Sequence, residues 1–134
     1  MKHTLNLKVY YSDTDSYGVV WHGSYLRWLE MGRVELCETI GLKLKDLMAQ
    51  DIVLPVVEIN VRFKSSAILD DNITVETGIS KISRTSVVFS QTIKNTETGK
   101  VNVVATVTVV AINNQGQLYR KIPDILSEKL TALV

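Results

Sequence analysis

The sequence predicts an α+β fold in which one long helix lies across a curved antiparallel sheet of about five strands. Three observations carry this. A half-buried strand pattern opens the chain, a single long apolar helix follows, and four extended segments fill the second half.

Residues 4–11 set Leu5, Leu7 and Val9 at a period of two, with Thr4, Asn6 and Lys8 between them, the pattern of a strand with one face buried. From Ser12 to Trp21 the chain carries Ser, Asp, Thr, Asp, Ser and Gly in close order, residues that satisfy their own backbone and favour a loop. Ser24 is the expected N-cap of a helix from about Tyr25 to Ile40, roughly 24 Å long at 1.5 Å per residue. Gly41 supplies its stop. Tyr25, Trp28, Leu29, Gly32, Leu36 and Cys37 recur every three or four residues, and Leu26, Met31, Val34 and Ile40 widen the apolar face, so this helix is buried on several sides. Residues 43–50 read as a short amphipathic helix.

Strands are expected near 53–63, 71–82, 86–95 and 101–112, with turns at 70–72, 95–99 and 113–116. These last four strands are expected to run as antiparallel neighbours through short connections. A closing helix starts after Pro123. Val103, Val107 and Val109 read as alternating with further apolar residues, so part of the second sheet surface is expected to be covered by another subunit, making a homo-oligomer. No linker, repeat or low-complexity segment divides the chain, and 1–134 reads as one domain with one site.

Composition narrows the function. With 15 Lys and Arg against 14 Asp and Glu there is no basic footprint for a phosphate backbone, and nucleic acid is not an expected partner. The single cysteine forms no intrachain disulfide, and Met1-Lys2-His3 leads into alternating residues instead of a signal-peptide core, which points to a reducing, cytoplasmic home. The longest mostly apolar stretch, Val101 to Ile112, is interrupted by Asn102, Thr106 and Thr108. It falls short of the roughly 20 residues of a membrane span, so no membrane insertion is expected.

Residues 10–25 are where chemistry is legible. Asp13 and Asp15 sit two residues apart, Gly18 follows, and a helix begins close behind. A helix start offers unpaired N–H groups and the positive end of the dipole, where an anionic oxygen is stabilised. A carboxylate held there can attack an activated carbonyl or activate water. On pattern alone the plain structural readings are the commoner ones: Asp-x-Asp pairs usually shape turns or cap helices, and a histidine at a helix start such as His22 is more often a solvated or hydrogen-bonded side chain than a base. Two histidines 19 residues apart and one cysteine make no metal-ligand set.

The run from Val9 to Leu26, VYYSDTDSYGVVWHGSYL, resembles the signature of the 4-hydroxybenzoyl-CoA thioesterase family, and most closely its acyl-CoA thioesterase branch associated with the Tol-Pal system. The likeness continues through Leu54-Pro55-Val56, Val61-Arg62-Phe63, Leu69-Asp70-Asp71 and Arg84 to Phe89. It implies the hot-dog fold, a long central helix wrapped by the sheet, in dimers that pair their sheets and often form tetramers. It also implies hydrolysis of a coenzyme A thioester carrying a short-chain or aromatic acyl group, with no cofactor beyond the coenzyme A of the substrate.

Residue by residue, the resemblance makes Asp15 the catalytic carboxylate, as nucleophile or general base, with Asp13 fixing its loop. The N–H of His22 is matched to the group that polarises the thioester carbonyl, its side chain being a second contributor. Gly18 and Val19 shape the loop. Arg84, Thr85 and Ser86 match positions that hold coenzyme A, with Arg62 and Lys64 as further candidates. Two other functions fit the same scaffold: a hydroxyacyl-thioester dehydratase, which needs the His22 side chain, and a non-catalytic thioester-binding scaffold, which gains nothing from Asp15.

Overall fold

The computed structural model describes residues 2–134. Its elements run β1 (His3–Lys8), a 3-10 turn (Tyr11–Asp13), α1 (His22–Thr39), α2 (Leu44–Ala49), β2 (Val56–Phe63), β3 (Asn72–Ile82), β4 (Ser86–Asn95), β5 (Val101–Val110) and α3 (Asp124–Thr131). The five strands form one antiparallel sheet in the order β1-β3-β4-β5-β2. This is the α+β hot-dog architecture expected from the sequence.

One expectation about the sheet is corrected. The last four strands are not successive neighbours: β3, β4 and β5 are, but β2 pairs the far side of β5, from Val56↔Val109 to Phe63↔Val103. Asp70-Asp71-Asn72 has hairpin composition, yet it closes a connection that carries the chain from the β5 edge across the end of the sheet. Asp70 sits in the left-handed region (φ 70°), its N–H bonds Val9 C=O at 3.1 Å, and β3 then pairs with β1. What decides the pairing is long-range partnership with β1, which local turn chemistry does not report.

The start of α1 is corrected as well. It begins at His22 with Trp21 as N-cap, one turn before Tyr25. Ser24 is inside the first turn, buried, and its hydroxyl donates to Asp13 C=O at 3.1 Å. The hydroxyl that looked like a cap instead ties the helix to the turn before it. The other end follows expectation. Gly41 (φ 80°) lets Gly41 N–H bond Glu38 C=O and Leu42 N–H bond Cys37 C=O, at 3.0 and 2.9 Å, which is a Schellman stop.

Helix α1 covers one face of the sheet and divides the core in two. Towards its N-terminus Tyr25, Trp28 and Leu29 pack on Ile73, Val75, Ile93, Val103 and Ala105. Towards its C-terminus Leu36 and Cys37 join Phe89, Val107, Val109, Leu126 and Leu130. At the waist Gly32 lets the backbone approach closely, since a Cβ there would sit 2.6 Å from Thr77 Oγ1. The buried Gln91 amide donates to Leu29 C=O and Thr77 Oγ1, both at 2.8 Å, and accepts from Arg33 at 3.0 Å.

Val103, Val107 and Val109 all face the helix. The residues that alternate with this face, Val104, Thr106, Thr108 and Val110, include two threonines, so the outer face is more polar than the sequence reading had it. Exposed apolar residues include a run along the β2 edge, Val56, Val57, Ile59 and Phe63.

Candidate active site

The loop between β1 and α1 is built on Asp13. Its carboxylate is buried and accepts Tyr10 N–H at 2.9 Å on one oxygen and the Arg27 guanidinium at 2.7 Å on the other. Its carbonyl accepts Trp21 N–H at 2.9 Å. Through both carboxylate oxygens and its carbonyl, Asp13 ties the loop to itself and to the first turns of α1. Arg27, which the sequence reading did not single out, holds it from the second turn of the helix.

Residues 14–20 fold back on themselves through a Thr14↔Val20 bridge. Asp15 N–H bonds Val19 C=O at 2.9 Å, and Gly18 N–H returns to Asp15 C=O at 3.0 Å. Gly18 has φ 78° and open space around it, so glycine is required there by backbone conformation and not by room. Val19 also bridges Ile68, which anchors the loop to the segment after β2. One Asp15 oxygen accepts Tyr17 N–H at 2.8 Å, which orients the carboxylate.

Asp15 opens into a cleft of about 300 Å³ shared with Val20, His22, Tyr25, Phe63, Lys64, Ser65 and Ser66. His22 is the first residue of α1. Ser24 N–H is taken by Trp21 C=O at 2.9 Å, whereas the N–H groups of His22 and Gly23 have no backbone acceptor among the described residues. The cleft thus sets a carboxylate beside free donors at the positive end of an 18-residue helix. The His22 ring stands 5.2 Å from the Trp21 ring and 6.5 Å from that of Phe63. The Trp21 indole lies over Gly23, on the space a Cβ would take, so a side chain at residue 23 would push the indole off the helix start.

The remaining predicted residues separate. Lys64 lines the cleft. Arg62 pairs with Val104 and alternates with Phe63, so it lies on the outer face of the sheet, away from the cleft. Arg84 and Thr85 lie in the β3–β4 turn with Ser83, and Ser86 opens β4. The cleft lies by the Asn72 end of β3, which pairs with Lys8, whereas this turn follows Ile82, at the other end of an 11-residue strand. That is roughly 33 Å at 3.3 Å per residue. Arg84 donates to Arg120 C=O at 3.2 Å and lines a separate open cleft with Ser83, Lys121, Ile122 and Ser127. One chain does not bring the Arg84 turn and Asp15 together.

Phe63, Ser65, Ser66 and Tyr25 were not read as cleft residues. Tyr25 looks like core from its spacing, and Phe63, at the end of β2, with Ser65 and Ser66 just after it, reaches the cleft through a long-range meeting with the start of α1, where the Phe63 and Tyr25 rings lie 5.8 Å apart. No three His, Cys, Asp or Glu side chains among the described residues come together to hold a metal ion.

The chain thus combines an antiparallel hot-dog sheet, a long helix packed across one face of it, and a cleft lined by both Asp15 and the first residue of that helix. Comparison with known proteins gives the family: residues 9–130 match the model of the thioesterase-like superfamily, and the chain belongs to that family. It is 35% identical over 121 residues to a putative esterase of Synechocystis sp., covering 90% of this chain and 73% of that protein. It is also 35% identical over 117 residues to the acyl-CoA thioester hydrolase YbgC of Escherichia coli, covering 87% of each. The resemblance to the 4-hydroxybenzoyl-CoA thioesterase family is borne out in structure. An aspartate-to-asparagine mutant of 4-hydroxybenzoyl-CoA thioesterase, complexed with 4-hydroxybenzoyl-CoA, superposes with a TM-score of 0.87 at 25% identity, covering 96% of this chain and 98% of the other.

Proposed function

We propose that this protein hydrolyses thioesters of coenzyme A to the free acid and coenzyme A, with Asp15 as its catalytic carboxylate and the His22 N–H polarising the carbonyl. The observation that carries the reading is that Asp15 and the unpaired N–H groups opening α1 share one cleft. Either Asp15 oxygen attacks the carbonyl carbon, the C–S bond breaks and water then cleaves the mixed anhydride, or Asp15 takes a proton from water as that water attacks. In both routes negative charge grows on the carbonyl oxygen, where helix-end donors act most strongly. Ring carbons of Phe63 and Tyr25 give the cleft apolar walls suited to a short-chain or aromatic acyl group.

Coenzyme A binding by Arg84, Thr85 and Ser86 is compatible with catalysis at Asp15 if the two come from different copies. An antiparallel pairing of β2 with β2 of a second chain would continue the sheet and set Phe63 opposite the second chain's Val56. It would also bring that chain's β3–β4 turn to the end where Asp15 lies. The exposed apolar residues of β2 support this homo-oligomer, a dimer or a pair of dimers. Lys64, at the cleft of the same chain, is left to meet the phosphates or the pantetheine arm.

The reading is tested by release of free coenzyme A from a panel of short, long and aromatic acyl-CoA thioesters, with Asp15→Asn beside the wild type. Asparagine keeps the acceptor for Tyr17 N–H and removes the anion. Turnover of a panel member by the wild type, reduced about a hundredfold or more in kcat by the substitution, is expected. Equal rates for the two proteins would remove Asp15 from the chemistry. No release from any member would remove the hydrolase.

A further inference from the structure

The cleft holds one polar group that the mechanism above leaves idle. Tyr25 lies one turn into α1, is 4% exposed and lines the same cleft as Asp15. Helical aromatic side chains lean back towards the N-terminus, so its phenol reaches the end of the helix that carries the free His22 N–H. Its oxygen is fixed there: Ala67 N–H donates to it at 2.8 Å, and the ring is held against Trp28 and Phe63 at 5.5 and 5.8 Å between centroids.

The acceptor side of this hydroxyl is used and the donor side is not. Among the described residues nothing accepts the Tyr25 O–H hydrogen. Asp15 takes its bond from Tyr17 instead, and Asp71 takes its own from Ile68 N–H. A buried O–H without an acceptor is unfavourable and uncommon in folded chains, and one aimed at a cleft is satisfied when the cleft fills. Burial pushes the phenol pKa above its ordinary value, so the hydrogen is present throughout the neutral range. Accepting the Ala67 N–H also polarises the phenol and strengthens it as a donor.

We propose that the Tyr25 hydroxyl donates a hydrogen bond to the carbonyl oxygen of the bound thioester, as a second donor beside the His22 N–H. The inference rests on the thioesterase reading. As a nucleophile adds to the carbonyl carbon, the C=O electron pair moves onto oxygen and both donors hold the resulting anion. When the pair returns, the C–S bond breaks and the thiolate leaves, and the Tyr25 proton stays on the phenol throughout.

The test is Tyr25→Phe, which keeps the ring and its packing, assayed on the best thioester of the panel beside wild type and Asp15→Asn. Loss of one donor to a developing oxyanion predicts a fall in kcat of about a hundredfold with KM within about threefold. A kcat within about threefold of wild type overturns the proposal while leaving the hydrolase intact, and a wild type without turnover overturns the hydrolase itself. A purely structural role through Ala67 is separated by placing 3-fluorotyrosine at residue 25, which keeps that bond. Its fluorine resonance is expected to shift on saturation with a dethia acyl-CoA, where a methylene replaces the sulfur and the carbonyl oxygen remains but cannot be cleaved. A resonance unmoved by the bound analogue overturns the proposal.

Discussion

Asp13 and Asp15 are two residues apart and sit in opposite surroundings. Asp13 is sealed in and bonded to Tyr10 N–H and Arg27, and Asp15 keeps one oxygen open to the cleft. Replacing Asp13 with Ala leaves Tyr10 N–H and the Arg27 guanidinium without their acceptor, and urea unfolding is expected to show a loss of about 1–3 kcal/mol. Asp15→Asn is expected to leave stability nearly unchanged, so the two aspartates separate when melting and turnover are measured on the same samples. Composition showed that this loop holds two carboxylates beside a helix start, but the family resemblance was needed to divide the roles between them. The difference in their surroundings follows from which carboxylate faces Arg27, a residue 14 positions along the chain that no local pattern connects to Asp13.

Cys37 is a second residue-scale case. It lies in the core, and burial pushes its thiol up to about 11, with the nearby Arg33 charge opposing and Glu38 adding to the shift. Only about one molecule in a thousand carries the thiolate at pH 8, and native protein is expected to resist iodoacetamide that labels the urea-unfolded chain readily. The sign for stability follows. The unfolded chain loses this proton first, near the ordinary thiol pKa of 9.0, so the contribution is full below that value and declines as pH rises towards 11. Unfolding free energies between pH 8 and 10.5 are expected to fall more steeply for wild type than for Cys37→Ala. Equal slopes would mean that Cys37 is not buried in solution.

Helix α1 is the element whose pattern was most legible, because periodicity of 3.6 is set by which residues meet the sheet. Its start was less so: Trp21 caps nothing with its side chain, and Ser24 spends its hydroxyl on Asp13. The contact at Gly32 was not legible as a contact at all, since glycine among apolar helix residues reads only as a weak former. Its reason lies across the interface, where Thr77, Val75 and Gln91 occupy the space of a Cβ. Gly32→Ala is expected to destabilise the protein by about 1–3 kcal/mol, although alanine is the better helix former, because α1 must move off β3. A melting temperature equal to or above that of wild type would contradict the close packing.

For the whole molecule, the decisive fact is that β2 is an edge strand. Its sequence reads as a strand, but nothing local says that it pairs with β5 and leaves its other side open, and so the sequence reading set it beside β3. The consequence reaches function. If Arg84 and Asp15 serve one coenzyme A, as proposed, their places at opposite ends of one sheet call for a second copy, and a second sheet running the other way along β2 is the arrangement proposed for it. Ile59, in the middle of that edge and exposed, is the place to interrupt it. Wild type is expected to sediment as a dimer or tetramer, and Ile59→Lys as a single chain, because the charge would be buried without a partner at the junction. The folded monomer keeps Asp15, His22 and Tyr25 in place, so its loss of activity is expected in KM for coenzyme A thioesters well beyond any loss on a truncated pantetheine thioester, which has no nucleotide to reach Arg84. If the Ile59→Lys monomer handled both substrates as wild type does, the Arg84 turn would have no part in binding coenzyme A, and the β2 edge would serve assembly alone.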